Sequence, residues 1–346
     1  MDFDLENIVR ENIKKLTAYS SAREDFTGKA QIFLDANESP FENGINRYPD
    51  PFQKALKQKL SNIKGIDPGK IFIGNGSDEV LDIAFRTFCE PGKDNMIICP
   101  PTYGMYKVLA DINNVETKEV LLNRDFTLNT KGVIRAADAN TKMVILCSPN
   151  NPTGSSIPLA EIEKLLTGLN SMIVVDEAYI DFSEKESAVK LIGQYPNLIV
   201  IQTLSKAYGM AGIRVGIALA RREVVEIFNK VKPPYNVNTL SQKKALEMLT
   251  QEDLYRKNLE KIADQKAALK KTLENIPAVE KIFPSDANFF LVRFKNAQET
   301  YRLLVKKGVV VRDRSSQPLC ENCLRITVGT EKENQILLNV LKTAAL

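Results

Sequence analysis

Six short apolar runs, several followed directly by a polar or glycine-rich cluster, constrain this chain more than any other feature. They are Ile71–Ile73, Met96–Cys99, Met143–Cys147, Met172–Val175, Leu198–Ile201 and Val215–Leu219. Continuous apolar runs of this length need cover on both faces if they are strands. Helical stretches, such as Glu79–Phe88 and Leu159–Leu169, separate several of them. Buried strands joined by helices predict an α/β lobe around a mainly parallel sheet. After Pro233-Pro234 the texture changes. Residues 239–275 read as long helices rich in Lys, Glu, Ala and Leu, and strand-like runs follow at Phe289–Phe294, Val309–Val311 and Leu324–Val328. That pattern predicts a second, smaller α+β lobe. The expected division is an N-terminal arm over 1–34, a large lobe over 35–236 and a small lobe over 237–346.

Composition removes several classes of function. The chain has no histidine, which excludes a Ser-His-Asp triad, a Cys-His pair and any His-ligated metal. Proton transfer must then fall to Lys, Tyr, Asp, Glu or Cys. Net charge is only +4 with no long basic run, so a nucleic-acid partner is not expected. No segment stays apolar for the roughly 18 residues of a membrane helix, and the acidic start does not resemble a signal peptide. A cytoplasmic protein is expected. Five cysteines do not suggest a disulfide framework. Cys99 and Cys147 end apolar runs and read as buried hydrophobes. Cys320 and Cys323 form a C-x-x-C that reads as part of a loop, since nothing completes a metal site.

Ligands in open α/β sheets bind at the carboxyl ends of the strands, and four clusters fall there. Gly74-Asn75-Gly76-Ser77-Asp78-Glu79 can cradle an anion on a helix N-terminus; alternatively Ser77 or Asp78 is a simple helix cap. Cys147-Ser148-Pro149-Asn150-Asn151-Pro152-Thr153-Gly154 is a stiff turn that can present an amide, or only a structural turn. Asp176 ends a very apolar run, with Tyr179 three residues on. A carboxylate there needs a partner such as a protonated heterocyclic nitrogen, unless it caps a helix. Lys206 follows another run within Ser-Lys-Ala-Tyr-Gly-Met-Ala-Gly-Ile-Arg, eight residues before Arg214. A lysine in such a setting, partly desolvated and near a cation, has a lowered pKa and becomes a nucleophile; a lone lysine is ordinarily a solvated surface group.

Taken in order, these clusters resemble the fold-type-I, pyridoxal-phosphate-dependent aminotransferases. Leu16-Thr17-Ala18-Tyr19, Leu34-Asp35-Ala36-Asn37-Glu38, Arg47-Tyr48-Pro49-Asp50-Pro51, Pro100-Pro101-Thr102-Tyr103-Gly104-Met105-Tyr106 and Cys323-Leu324-Arg325-Ile326-Thr327-Val328-Gly329 narrow the resemblance to the histidinol-phosphate branch. Ala18 departs from that pattern, where proline is expected. The resemblance implies a seven-stranded sheet, pyridoxal 5′-phosphate as cofactor, and transamination between L-histidinol phosphate and 2-oxoglutarate. It implies that Lys206 is the Schiff-base lysine and that Asp176 pairs with the pyridinium nitrogen. Tyr179 and Asn151 would meet the ring 3′-oxygen, and Tyr103 would stack on the ring. The N–H groups of Ser77 and Asp78 would hold the phosphate with Ser205 and Arg214; Gly76 and Thr203 belong to the same cofactor-binding set. Arg312 and Arg325 would bind substrate anions, with Tyr19, Asn37 and Asn151 in that pocket. A homodimer is implied, in which Tyr48 of the partner subunit reaches the cofactor phosphate. The rival readings are an aromatic amino-acid aminotransferase or a decarboxylase acting on a threonine phosphate, both of the same superfamily. A ligand-sensing regulator on this fold is a further alternative, although only about 34 residues precede the core, fewer than an independent domain needs.

Overall fold

A seven-stranded sheet runs through the larger part of the computed structural model, which describes residues 3–19 and 32–343. Its strands are β1 (Ile71–Asn75), β2 (Asn95–Ile98), β3 (Glu116–Glu119), β4 (Thr141–Cys147), β5 (Met172–Asp176), β6 (Leu198–Thr203) and β7 (Val215–Ala220). Their order is β1-β7-β6-β5-β4-β2-β3. Only β7 runs against its neighbours, pairing antiparallel with both β1 and β6. The six apolar runs supply six of these strands. The seventh, β3, reads Glu-Thr-Lys-Glu at the sheet edge with no buried residue, so hydrophobicity gave no sign of it.

Both faces of the central strands are covered, as continuous apolar runs require. Ile173 and Val175 of β5 enter one core with Val144 and Leu146 of β4. Met172 and Val174 enter the opposite core with Met143, Ile145 and Cys147. A slip of one residue would exchange the two sets. Fully burying one such side chain contributes about 1.5–3 kcal/mol, so the register is firmly fixed at the strand ends, where the polar clusters begin.

The second sheet has the order β10-β11-β9-β8 and is antiparallel throughout. Its strands are β8 (Val279–Ile282), β9 (Phe289–Phe294), β10 (Arg312–Asp313) and β11 (Cys323–Thr327). Two of the expected strands are in place. The third differs: Val309–Val311 leads into β10 without pairing, and β8 had no apolar run to mark it. The helical stretch over 239–275 is two helices, Thr239–Met248 and Glu252–Leu273. One face of this sheet packs Phe290, Val292, Leu324 and Ile326 with Leu269 and Leu273 of the long helix and with Leu337 and Leu341. The other face sends Leu291 and Cys323 into the core shared with the large sheet. All five cysteines are free and buried. Cys320 and Cys323 are therefore packing residues between the two sheets. Among the described residues, no helix is long and apolar enough to cross a membrane.

Candidate active site

The carboxyl ends of β4, β5 and β6 open on a cavity of about 320 Å³. Ser77, Asp78, Tyr103, Asn151, Asp176, Tyr179, Thr203, Ser205, Lys206 and Arg214 reach it from the seven-stranded sheet and its connections, and Arg312 and Arg325 from the four-stranded sheet.

At one end lies the first turn of the helix Ser77–Phe88. Gly76 is its N-cap, at φ 83° and ψ 165°, and no side chain caps the turn. Ser77 and Asp78 are thus the first two helical residues rather than caps, which favours the anion-cradle reading over the plain cap. A Cβ on Gly76 would lie 2.6 Å from Arg214 Nη2, and one on Gly216 of β7 would lie 2.3 Å from Ser77 N. Both glycines are needed for the backbone to close here. Arg214 Nη2 lies 3.5 Å from Asp78 Oδ2. Thr203 Oγ1 lies 2.9 Å from Ser205 Oγ and accepts from Ser205 N at 3.1 Å.

Asp176 closes the deep end. The alternation of β5 turns it to the side of Met172 and Val174, where Cys147 and Tyr106 also pack. Tyr106 donates its hydroxyl to Asp176 Oδ2 at 2.7 Å, and Ala178 N donates to Oδ1 at 3.1 Å. No α-helix starts at this point; the carboxylate folds a turn and does not cap a helix. Burial pushes the Asp176 carboxyl up, while the bonds from Tyr106 and Ala178 pull it back. The neighbouring Glu177 faces away. It accepts from Ser187 Oγ, Ala188 N and Gln202 Nε2 and holds the fold.

Lys206 stands on the turn between β6 and β7, its ammonium 5.5 Å from the centre of the Tyr179 ring. Its pKa is lowered, first by burial and then by Arg325; Asp176 and Asp78 oppose this, and Arg214 contributes least. The depression foreseen from sequence is present, but the cation that matters more is Arg325 of β11, and not Arg214. Although much of its side chain is exposed, it is exposed into a concave, charged cavity rather than to open solvent.

Aromatic and amide groups line the remaining walls. Tyr179 meets Phe289 edge-on at 5.1 Å, and Tyr103 meets Tyr106 likewise at 5.5 Å. Asn150 secures the proline turn, donating to the Pro101 carbonyl at 2.9 Å and to Thr153 Oγ1 at 2.8 Å. That leaves Asn151 for the cavity, where its Oδ1 accepts from Arg325 Nη1. Arg325 also lies 5.4 Å from the centre of the Phe289 ring.

Four foreseen residues do not line this cavity within a single chain. Gly76 stands just behind it, as the N-cap of the helix. Asn37 and Tyr48 line a separate cavity of about 420 Å³. Tyr48 is half exposed and stacks on Tyr235 at 4.3 Å. Tyr19 is 68% exposed. Sequence reasoning also missed two residues. Tyr106 stands in the first turn of the helix Met105–Ile112, against the Tyr103 ring, and Arg314 stands just past the end of β10, in the lining of the cavity.

Residues 31–341 match the family model of aminotransferase class I and II. A histidinol-phosphate aminotransferase of Flavobacterium johnsoniae is 52% identical over 343 residues, covering 98% of each chain. Among solved structures, the histidinol-phosphate aminotransferase of Clostridium acetobutylicum shares the fold at TM-score 0.80 and 24% identity, covering 87% of this chain and 91% of that one. That of Sinorhizobium meliloti, in complex with pyridoxal-5′-phosphate, matches at TM-score 0.79 and 25% identity, covering 86% and 83%.

Proposed function

The chain belongs to the class I and II aminotransferases, and on that premise we propose that it moves an amino group between L-histidinol phosphate and 2-oxoglutarate, giving imidazole-acetol phosphate and L-glutamate. The observation that carries this is one cavity in which a lysine of lowered pKa, a buried carboxylate and arginines of the small lobe converge. Near-full-length identity to a histidinol-phosphate aminotransferase supports the choice of substrate.

Pyridoxal 5′-phosphate supplies an electron sink at the substrate Cα when bound. The residues fit that cofactor. Ser77 and Asp78 offer N–H groups to its phosphate, with Gly76, Thr203, Ser205 and Arg214 around them. Asp176 offers the buried negative charge that a ring nitrogen cation needs, and the Tyr106 hydroxyl favours the charged form of that carboxylate against the effect of burial. Tyr179 and the amide of Asn151 serve the ring oxygen, and Tyr103 covers a ring face. Lys206 would hold the cofactor covalently, and its Nζ would be the base that takes and returns the Cα proton. No histidine is needed for that task. Arg312 and Arg325 hold substrate anions. We assign 35–236 to the cofactor lobe, 237–346 to the small lobe and 1–34 to an arm, and place Tyr19 and Asn37 at the substrate. The working unit is a homodimer in which Tyr48 of the partner subunit reaches the cofactor phosphate.

A substrate panel on the purified holoenzyme tests the reading. Histidinol phosphate as amino donor should exceed phenylalanine in kcat/KM by about a hundredfold or more, because charged groups built to meet a substrate anion discriminate strongly against its absence. Equal or faster turnover of phenylalanine would make this an aromatic aminotransferase instead, and release of carbon dioxide from threonine phosphate would make it a decarboxylase.

A further inference from the structure

The cavity holds more positive charge than the roles above account for. Lys206, Arg214, Arg312, Arg314 and Arg325 line it against the carboxylates of Asp78 and Asp176. Arg214 leans on Asp78. The other three arginines sit together on the small sheet. Arg312 of β10 is paired with Arg325 of β11, and Arg314 N continues the ladder by donating to the Cys323 carbonyl at 2.9 Å. Arg312 faces Arg325 across the ladder, and Arg314, just past the end of β10, lines the same cavity as both. Asp313, between them, points the other way and accepts from Ser315 N.

Like charges opposite one another in a sheet are unfavourable, and among the described residues no carboxylate pairs directly with these three. Among the described residues, none of the three arginines forms an ion pair. Arg314 bears the greatest strain. Burial, then Arg325, then Arg312 depress it to about 10, and its Nε is buried with no acceptor. Its guanidinium nevertheless lines the cavity. Retaining an unpaired, half-buried guanidinium beside two others makes physical sense only if an anion of more than one charge completes the set.

We propose that Arg314 is a specificity residue that recognises the second negative charge of a phosphate monoester, alongside Arg312 and Arg325. Two arginines suffice for the separate, singly charged carboxylates of glutamate. A phosphate dianion presents three oxygens and two charges at one point, and a third planar fork matches that demand.

The charge itself provides the test, because a phosphate monoester loses its second charge below about pH 6. Inorganic phosphate does the same about one unit higher, near pH 7. In wild-type holoenzyme, whose cofactor phosphate already fills the helix cradle, calorimetry with inorganic phosphate should show binding that weakens as pH falls through about 7. In Arg314→Gln the affinity above about pH 7 should drop about tenfold and the pH dependence should flatten, as expected for a lost charge-assisted contact. Arg314→Lys should keep the pH dependence with reduced affinity, which a merely structural role does not explain. In turnover, Arg314→Gln should raise KM for histidinol phosphate about tenfold while KM for glutamate moves by about threefold or less. Phosphate binding by Arg314→Gln that equals wild type, or equal losses for both substrates, would overturn the assignment. The substrate arm rests on the proposed reaction. Wild-type enzyme that ignores histidinol phosphate would refute that reaction, while the inorganic-phosphate arm would still decide the role of Arg314.

Discussion

Tyr106 is fully buried, and its hydroxyl donates to Asp176 at 2.7 Å, with the Cys147 thiol also beside it. Changing Tyr106 to Phe removes that donor and leaves a carboxylate oxygen unsatisfied in an apolar setting, at a cost of about 1–3 kcal/mol. The Asp176 carboxyl, already pushed up by burial, would rise further and protonate at higher pH. The expected result is a kcat lowered about tenfold, with the acid limb of the pH–rate profile moved toward neutrality. An unshifted acid limb would reduce Tyr106 to a packing residue. Asp176 itself was legible because a carboxylate ending a run as apolar as Met-Ile-Val-Val demands an explanation. Tyr106 was not, because Tyr106, Leu109 and Ala110 form an ordinary buried helix stripe, and nothing in the sequence tells a tyrosine that packs from one that donates.

The same difficulty recurs at the level of whole elements. Helix Lys54–Lys64 buries Leu56, Lys57 and Leu60 on one face, so a lysine occupies the middle of an apolar stripe. Burial and the charge of Lys232 lower Lys57 from its ordinary 10.5 to about 8. Below pH 8 the folded protein must carry a buried ammonium, which costs about 3 kcal/mol. Between pH 8 and 10.5 the unfolded chain binds more protons than the folded one, so stability rises with pH and the penalty fades. Lys57→Met should therefore raise the urea midpoint at pH 7 and have little effect near pH 10.5. A pH-independent difference would show that the fold does not lower the Lys57 pKa at all. Elements were legible from sequence in proportion to how fully they are buried. Runs such as Met143–Cys147 named their strands almost to the residue, whereas β3 and β8 bury no residue fully, so periodicity is silent on them. Val309–Val311 misled for the converse reason. It is apolar, yet Val310 is 83% exposed, and the ladder begins only at Arg312.

At the scale of the whole molecule, the proposed dimer makes a quantitative prediction. Tyr48 is exposed and lies outside the site cavity of its own chain. If Tyr48 of the partner subunit completes the site, mixing Lys206→Ala with a severely defective Tyr48 variant produces dimers with one intact site and one doubly damaged. Unfolding the two variants together and reassembling them at equal concentration should restore about a quarter of wild-type activity, by the symmetry of a C2 pair. Activity that stays at the level of the parents would place Tyr48 in its own chain's function. The large sheet and the residues on its strand ends were legible because they belong to one chain and one register; contacts between subunits leave no periodic trace. The reversed strand β7 has a consequence of a different kind. Because β7 returns beside β6, with Thr203 opposite Gly216, the short link that carries Lys206 also delivers Arg214. On the proposed roles, nucleophile and anion anchor ride on a single span of backbone, clamped at both feet by the sheet. That span would work as a fixed gauge for the length between a ligand's phosphate and its reactive carbon. Arg312 and Arg325, which stand on the other sheet, would then measure the substrate separately: one gauge for the permanent ligand, another for the passing one.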